Sequence, residues 1–373
     1  MDKYLHIITH DVPYPADFGG VVDLFYKIKT LHQLGIKIHL HCFTNKRPQQ
    51  AELNKYCVSV TYYQRNKKLS FSLPFIVSSR NNVSLIDNLK KDNHPVLIEG
   101  IHCSYPLYTD QLNNRKVVLR LHNVEFEYYH HLASHEKSFF KKLYFNFESK
   151  LLKQYERIIA TKVKILTVST HDTSIYKETF KATDIKYLPV FLPYTEAIYP
   201  EGKGNFCLYH GNLSINENEK AAIWLLENIF NDNDIPFVIA GKDPSQKLSF
   251  LAHQHKNTCL VANPSDKDLQ DMIGKAQINI LPSFNNTGVK LKLLNALYNG
   301  RHCLVNKAGA EGSEVESICV IEDSAISMKI MATALYDTPY TKEDADKRNV
   351  LLSQVYNNKK NAEQLINIFW GAE

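Results

Sequence analysis

No apolar run in this sequence approaches the roughly 20 residues that a bilayer-spanning helix needs, so a transmembrane helix is not expected. Glycine and proline number only 14 each, which excludes collagen-like and low-complexity chains. The seven cysteines, Cys42, Cys57, Cys103, Cys207, Cys259, Cys303 and Cys319, are odd in number and never form a Cys-x-x-Cys pair. They read as reduced core residues, with neither zinc-type spacing nor a disulfide framework. A Gly-x-Ser-x-Gly elbow and a Walker Gly-Lys-Ser/Thr loop are both missing, so hydrolase and NTPase readings lose their usual warrants. Charge of one sign is also in short supply. The 44 basic residues are balanced by 39 acidic ones, and the resulting +5 is too dispersed for a nucleic-acid-binding face. The stretch Met1-Asp2-Lys3-Tyr4-Leu5-His6-Ile7-Ile8 reads as a first strand and not as a signal peptide, so the expected location is cytoplasmic.

What is present is the mixture of a globular protein, 44% hydrophobic and 22% charged. At roughly 150 residues per domain, the length predicts two domains. Apolar runs at 5–9, 36–43, 58–63, 96–99 and 116–121 have strand length. They are separated by helical patterns at 83–91 and where Val21, Leu24, Phe25, Ile28 and Leu31 recur. This alternation predicts a parallel α/β sheet. Prolines and glycines gather in 189–204, the best linker candidate, and the same strand–loop–helix order restarts at Phe206.

The chain is organised around Thr287-Gly288-Val289-Lys290-Leu291-Lys292-Leu293-Leu294-Asn295-Ala296-Leu297-Tyr298-Asn299-Gly300, a tight turn opening onto a short helix. The apolar run 276–282 before it reads as a buried strand. Ligands of parallel sheets sit beyond the carboxyl ends of the strands, where helix N-termini offer unpaired N–H groups. Gly288 would let a ligand approach the backbone, and Lys290 and Lys292 add positive charge, so a diphosphate suits this turn. Asn295 falls on the face of Leu291, Lys292 and Asn299, away from Leu293, Ala296 and Leu297.

Other strand ends carry further candidates. Gly19-Gly20 precedes a helix and suits either close packing or ligand approach, while the 116–121 strand delivers His122-Asn123-Val124-Glu125. Later come His210-Gly211-Asn212 and the loop residue Lys242, a candidate phosphate contact. In 139–160 one side carries Phe140, Leu143, Tyr144, Phe147, Leu151, Leu152 and Tyr155. Lys137, Lys141, Lys142, Lys150 and Lys153 line much of the rest. Because Glu148 and Glu156 interrupt the basic face, the pattern reads first as a core-covering helix, with an anionic membrane surface as the alternative.

The organising stretch resembles the Gly-x-Lys-x-Lys-x-Leu-Glu-Ala element of family 4 glycosyltransferases, and Ala308-Gly309-Ala310-Glu311-Gly312 is similar to their Gly-x-Glu-Gly loop. Val168-Ser169-Thr170-His171-Asp172 resembles their Val-Ser-x-x-Asp segment. The resemblance implies the GT-B fold, two Rossmann-like parallel-sheet domains facing each other across a cleft. It places an acceptor domain at 1–190, a linker at 191–204, a nucleotide-sugar domain at 205–352 and, at 353–373, a helix crossing back to the first domain. It also implies metal-independent transfer, with retention, from a UDP- or GDP-linked sugar to a glycan or lipid-linked acceptor, with no cofactor and a role in polysaccharide biosynthesis.

By the same resemblance, His122 and Lys290 are the catalytic candidates, and Gly19, Gly20, Gly211, Asn212, Lys242, Thr287, Gly288, Val289, Lys290, Lys292 and Asn295 surround the donor. The family usually has two glutamates eight positions apart, where this sequence has Thr287 and Asn295. An amide still bonds a ribose diol, without the added strength of a charge. The alternative reading is therefore a non-catalytic GT-B-like protein that binds a nucleotide or glycan, or the partner of an active transferase.

Overall fold

Strand runs that are apolar on both faces require helices on both sides, and both halves of the chain meet that requirement in the same way. The computed structural model describes residues 2–17, 19–67, 70–136, 138–198, 200 and 202–371; Met1 and Lys137, named above, lie outside them. The chain divides into two units, Met1–Pro193 with Tyr356–Glu373, and Tyr194–Val355.

In the first unit, β1 (Tyr4–Thr9), β2 (Lys37–Thr44), β3 (Ser59–Gln64), β4 (Val96–Glu99), β5 (Val117–Leu121), β6 (Lys164–Thr167) and β7 (Ile185–Tyr187) form one sheet. Among the described residues its order is β3-β2-β1-β4-β5-β6-β7, and every pairing is parallel. Ile7 and Leu5 pack on one face with Ile38 and Leu97, while Ile8 packs on the other with Ile98 and Leu119. The helices that matter here are α1 (Gly19–Gln33), α2 (Glu125–His135) and α3 (Phe139–Ile159). The second unit has β8 (Cys207–Asn212), β9 (Phe237–Lys242), β10 (Thr258–Ala262), β11 (Ile278–Ile280), β12 (His302–Val305) and β13 (Val320–Ile321), again all parallel, in the order β10-β9-β8-β11-β12-β13. Its relevant helices are α4 (Asn216–Asn228), α5 (Leu291–Asn299) and α6 (Lys342–Val355); a last helix, α7 (Asn358–Trp370), belongs to the first unit. Strand order reverses between β1 and β4 in one sheet and between β8 and β11 in the other, so each sheet has a switch point where a crevice opens beyond the strand ends.

Parts of the segment 191–204 are anchored to the units on either side of it. Phe191 is fully buried in the first unit, and its N–H donates to Asp23 Oδ1 at 2.7 Å. Tyr194 stacks on Tyr298 with centroids 5.0 Å apart, and the Gly204 N–H donates to Gln277 Oε1 at 2.6 Å. In α7, Ala362, Leu365 and Phe369 join the core layer of Leu5 and Ile7. Gly19 and Gly20, read above as preceding a helix, are the first two residues of α1.

The core-covering reading of α3 holds for only half of the helix. Leu152, Tyr155 and Ile159 are buried, but Phe139 is 68% exposed, Phe140 81% and Leu143 52%. Glu148 and Glu156, read as interruptions of a basic solvent face, are themselves buried. Glu156 accepts from the backbone N–H groups of Glu125 (3.0 Å) and Phe126 (3.1 Å) and from the Tyr176 hydroxyl (2.8 Å), capping α2. Glu148 does the same for Phe75 at 2.8 Å. Helical spacing alone cannot show this, because the groups that need capping are contributed by distant parts of the chain.

Candidate functional site

Each switch point gathers candidate residues. In the first unit, His10 follows β1, Gly19 and Gly20 open α1, Glu99 ends β4, Arg120 lies within β5 and His122 follows it. His122 donates Nε2–H to Glu99 Oε2 at 3.1 Å, with Asp23 Oδ2 at 3.3 Å. Asp23 also accepts from Arg120 Nη2 (3.0 Å) and Lys27 Nζ (2.8 Å), and Lys27 reaches Glu99 Oε1 at 2.8 Å.

Burial alone would raise both carboxylates. Arg120 and Lys27 nevertheless hold Asp23 well below the usual carboxylate range, and Lys27 with His122 holds Glu99 low as well. Burial would lower His122, but its bonds to Asp23 and Glu99 outweigh that and raise it above the ordinary histidine value. Asp23, Glu99 and His122 have ligand atoms close enough together to suggest a cation. Lys27 and Arg120 already neutralise both carboxylates, so the group is better read as a frame that orients His122. With Nε2 committed, Nδ1 of His122 is left on the side of Gly20: a Cβ on Gly20 would lie 4.0 Å from it and 3.3 Å from His10 Nε2.

In the second unit, the candidates meet between β8 and β11. Gly288 adopts φ 63°, a left-handed conformation that favours glycine, and Lys290 precedes the first residue of α5. Lys290 Nζ donates to the Thr287 carbonyl at 2.7 Å. Lys292 turns toward β8 and α4, donating to the Tyr209 hydroxyl and to Asn218 Oδ1, each at 3.1 Å, with its ammonium 4.7 Å from the Tyr209 ring centre. Burial lowers its pKa to about 8, with Glu217 opposing that shift and Lys290 adding to it. His210 is held down to about 3, first by burial and then by Lys292; its Nε2 is buried without a hydrogen-bond partner among the described residues. Gly211 lies against Asn218, whose side-chain Cγ would be 3.4 Å from an added Cβ, and Asn218 Nδ2 donates to the Asn212 carbonyl at 3.0 Å. Asn212 itself is exposed and accepts from Ser214. Lys242 is exposed at the end of β9, one strand away. Val289 is half-buried in the turn.

Several participants were missed in the sequence. Glu217 Oε1 accepts from Ser283 Oγ at 3.1 Å, tying the loop after β11 to the start of α4. Asn306 grips Ser283 from the other side, accepting from its N–H at 2.8 Å and donating to its carbonyl at 2.7 Å. Asn286 Nδ2 donates to Glu311 Oε2 at 3.3 Å, so the two glycine-containing loops of this unit are joined. The polar run Asn216-Glu217-Asn218-Glu219 was a usable signal. So was the presence of Glu99 and Arg120 inside apolar strand runs.

Comparison with known proteins bears on this arrangement. No protein-family model matches the chain. An uncharacterized 44.6 kDa protein in the cps region of Klebsiella pneumoniae is 27% identical over 379 residues, covering 95% of this chain and 96% of that one. Among solved structures, sucrose-phosphate synthase from Thermosynechococcus elongatus superposes with a TM-score of 0.72 at 12% identity, covering 98% of each chain. A mutant of TarM from S. aureus, in complex with fondaparinux, alpha-GlcNAc-glycerol and UDP, gives 0.67 at 12% identity, covering 98% of this chain and 99% of that one. The chain has the GT-B fold.

Within this GT-B chain the two departures from the family 4 pattern have different surroundings. Thr287 is buried, and its N–H and hydroxyl both donate to Asn285 Oδ1, at 2.8 and 2.9 Å. Asn295 is half-buried one turn beyond Lys292, and its Oδ1 accepts from Asn299 Nδ2 at 2.8 Å. Thr287 therefore shapes the turn, whereas Asn295 stands on the same helix face as Lys292.

Proposed function

We propose that the protein is a glycosyltransferase that moves a sugar from a UDP- or GDP-linked donor to a glycan or lipid-linked acceptor, with retention and without a metal. The observation that carries this reading is Lys292, a half-buried ammonium on the first turn of α5, close in sequence to the left-handed turn at Gly288 and bonded to Tyr209 of β8 and Asn218 of α4. Departure of a nucleoside diphosphate develops charge on oxygen. Fixed N–H groups at a helix N-terminus and lysines in a dry site stabilise that charge without reorganising. His122, oriented by Asp23 and Glu99, supplies a hydrogen-bonding nitrogen for the sugar or its phosphate. The bound UDP of the TarM structure is consistent with the choice of donor.

Calorimetric titration with UDP, GDP, dTDP and CMP tests the reading. One nucleotide should bind in the micromolar range and lose most of its affinity in Lys292→Ala. Because the pKa of Lys292 is about 8, binding should weaken as the pH rises through that value and the ammonium loses its proton. Absence of binding by all four would move the assignment to a non-catalytic GT-B protein or transferase partner, the reading that Thr287 and Asn295 favour.

The lipid-linked side of the proposal is supported by α3. Its exposed Phe139, Phe140 and Leu143 lie among exposed Lys141, Lys142 and Lys150, the composition of a helix that rests on an anionic bilayer. Co-sedimentation with vesicles containing anionic lipid should fall at least fivefold in a Phe140→Ser, Leu143→Ser double variant, and no change would remove the membrane from the proposal.

A further inference from the structure

One face of α4 grips the loop that leads from β11 into the Gly288 turn. Glu217, Lys220 and Trp224 recur at the spacing that puts side chains on one side of a helix. Glu217 Oε1 accepts from Ser283 Oγ at 3.1 Å, and Glu217 Oε2 lies 3.5 Å from Asn285 Nδ2. Between them, the Phe284 ring centre is 5.2 Å from Lys220 Nζ and meets Trp224 edge-on at 5.9 Å. Three consecutive loop residues are thus held by one helix, and Ser283 and Asn285 are buried against it.

The tie runs on into the turn. Asn285 Oδ1 accepts from the N–H and the hydroxyl of Thr287, at 2.8 and 2.9 Å, and the Thr287 carbonyl accepts from Lys290 Nζ at 2.7 Å. A carboxylate can only accept, so Glu217 fixes which way round the Asn285 amide sits. Turned over, the amide would set its oxygen against Glu217 and its NH2 against the Thr287 N–H, leaving like groups face to face. The next residue of α4, Asn218, receives Lys292 through Oδ1. Two successive residues of α4 therefore hold the loop before the Gly288 turn and the lysine after it.

The groups that act on the Lys292 ammonium come from three places: Tyr209 and His210 of β8, Glu217 and Asn218 of α4, and Lys290 of the turn itself. Burial brings its pKa down to about 8 and Lys290 pushes the same way, while Glu217 opposes both.

We propose that Glu217 is a positioning residue for sugar transfer: it fixes the Asn285 amide, and through it the Thr287–Gly288 turn, and it is the counter-charge of Lys292. The role rests on the glycosyltransferase reading above, and Glu217 acts through Asn285 and Lys292. A turn already set before the diphosphate arrives does not have to be ordered by it, which favours both binding and transfer.

The test uses three variants of the full chain. Glu217→Ala removes the carboxylate, Glu217→Gln keeps its size and an acceptor oxygen without the charge, and Ser283→Ala cuts the tie and keeps the charge. Without nucleotide, amide hydrogen exchange across 284–290 should quicken by about tenfold or more in Glu217→Ala and Ser283→Ala and stay near wild type in Glu217→Gln. In calorimetry with UDP and GDP, the nucleotide that binds wild type should bind Glu217→Ala weaker by about tenfold or more at every pH. Glu217→Gln should match wild type at about pH 6.5 and fall behind as the pH rises, because Lys292 without its counter-charge loses its proton earlier. Ser283→Ala should show no such trend, and it decides the exchange result if Glu217→Ala fails to fold. Unchanged exchange in the folded variants overturns the proposal. So does faster exchange with wild-type affinity at every pH, which would leave Glu217 a purely structural residue. If exchange quickens while neither nucleotide binds wild type, the tie from α4 to the turn stands and the donor reading falls.

Discussion

Lys292→Ala is expected to reduce sugar transfer by a factor of about 10² to 10³, the usual cost of removing one preorganised group that meets charge developing in a transition state. The loss should appear mainly in kcat, because the ammonium matters most once the diphosphate carries its full leaving-group charge. Lys292→Arg should rescue little. The ammonium is seated between the Tyr209 hydroxyl and Asn218 Oδ1, 3.1 Å from each, and a planar guanidinium does not fit that geometry. Thermal unfolding separates this effect from misfolding. Removing a desolvated ammonium whose partners are a hydroxyl and an amide should leave the melting temperature within a few degrees of wild type. Unchanged turnover in a folded Lys292→Ala protein would take the second-unit turn out of the mechanism.

Asp23→Ala should have the largest effect on stability, about 3–5 kcal/mol, because it breaks a buried ion network from one side. Asp23 accepts from Arg120, Lys27 and the Phe191 N–H, and it lies within ion-pair distance of His122. Removing its two oxygens leaves the fully buried Arg120 without a carboxylate and Lys27 with Glu99 alone. A total stability of roughly 5–15 kcal/mol leaves little reserve after such a loss. Denaturant midpoints at constant slope would measure it, and a shift below about 1 kcal/mol would show that the network contributes far less than its burial implies.

The same network sets the pH response. Asp23 and Glu99 are depressed, so their contribution is present above the unfolded carboxylate values and is lost as the pH falls through their lower native values. His122 is raised, so its contribution is complete below the unfolded histidine value and is lost as the pH rises through the native one.

Much of this was legible in the sequence because it depends on local chemistry. The apolar run 96–99 coincides with β4, and alternation of strand-length runs with helical spacing led to two parallel sheets. Gly288 followed by Lys290 and Lys292 could be read as a tight turn opening onto a helix, since a positive φ and a helix N-terminus are properties of a few consecutive residues. What the chain alone did not reveal is which distant groups meet. Asp23 and Lys27 look like ordinary polar positions on an amphipathic helix until Arg120 and Glu99 arrive from two neighbouring strands. Glu148 and Glu156 look like solvent charges until the helix ends they cap are brought to them. The aromatic stripe of α3 is continuous in sequence, yet it leaves the core at Phe147 because periodicity records which residues share a face and not where the neighbouring layer stops. Local propensity and spacing determined the elements and their order. Only tertiary structure decided which charges were paired, which face was covered and which helix ends were capped, because those depend on contacts between residues far apart in the chain.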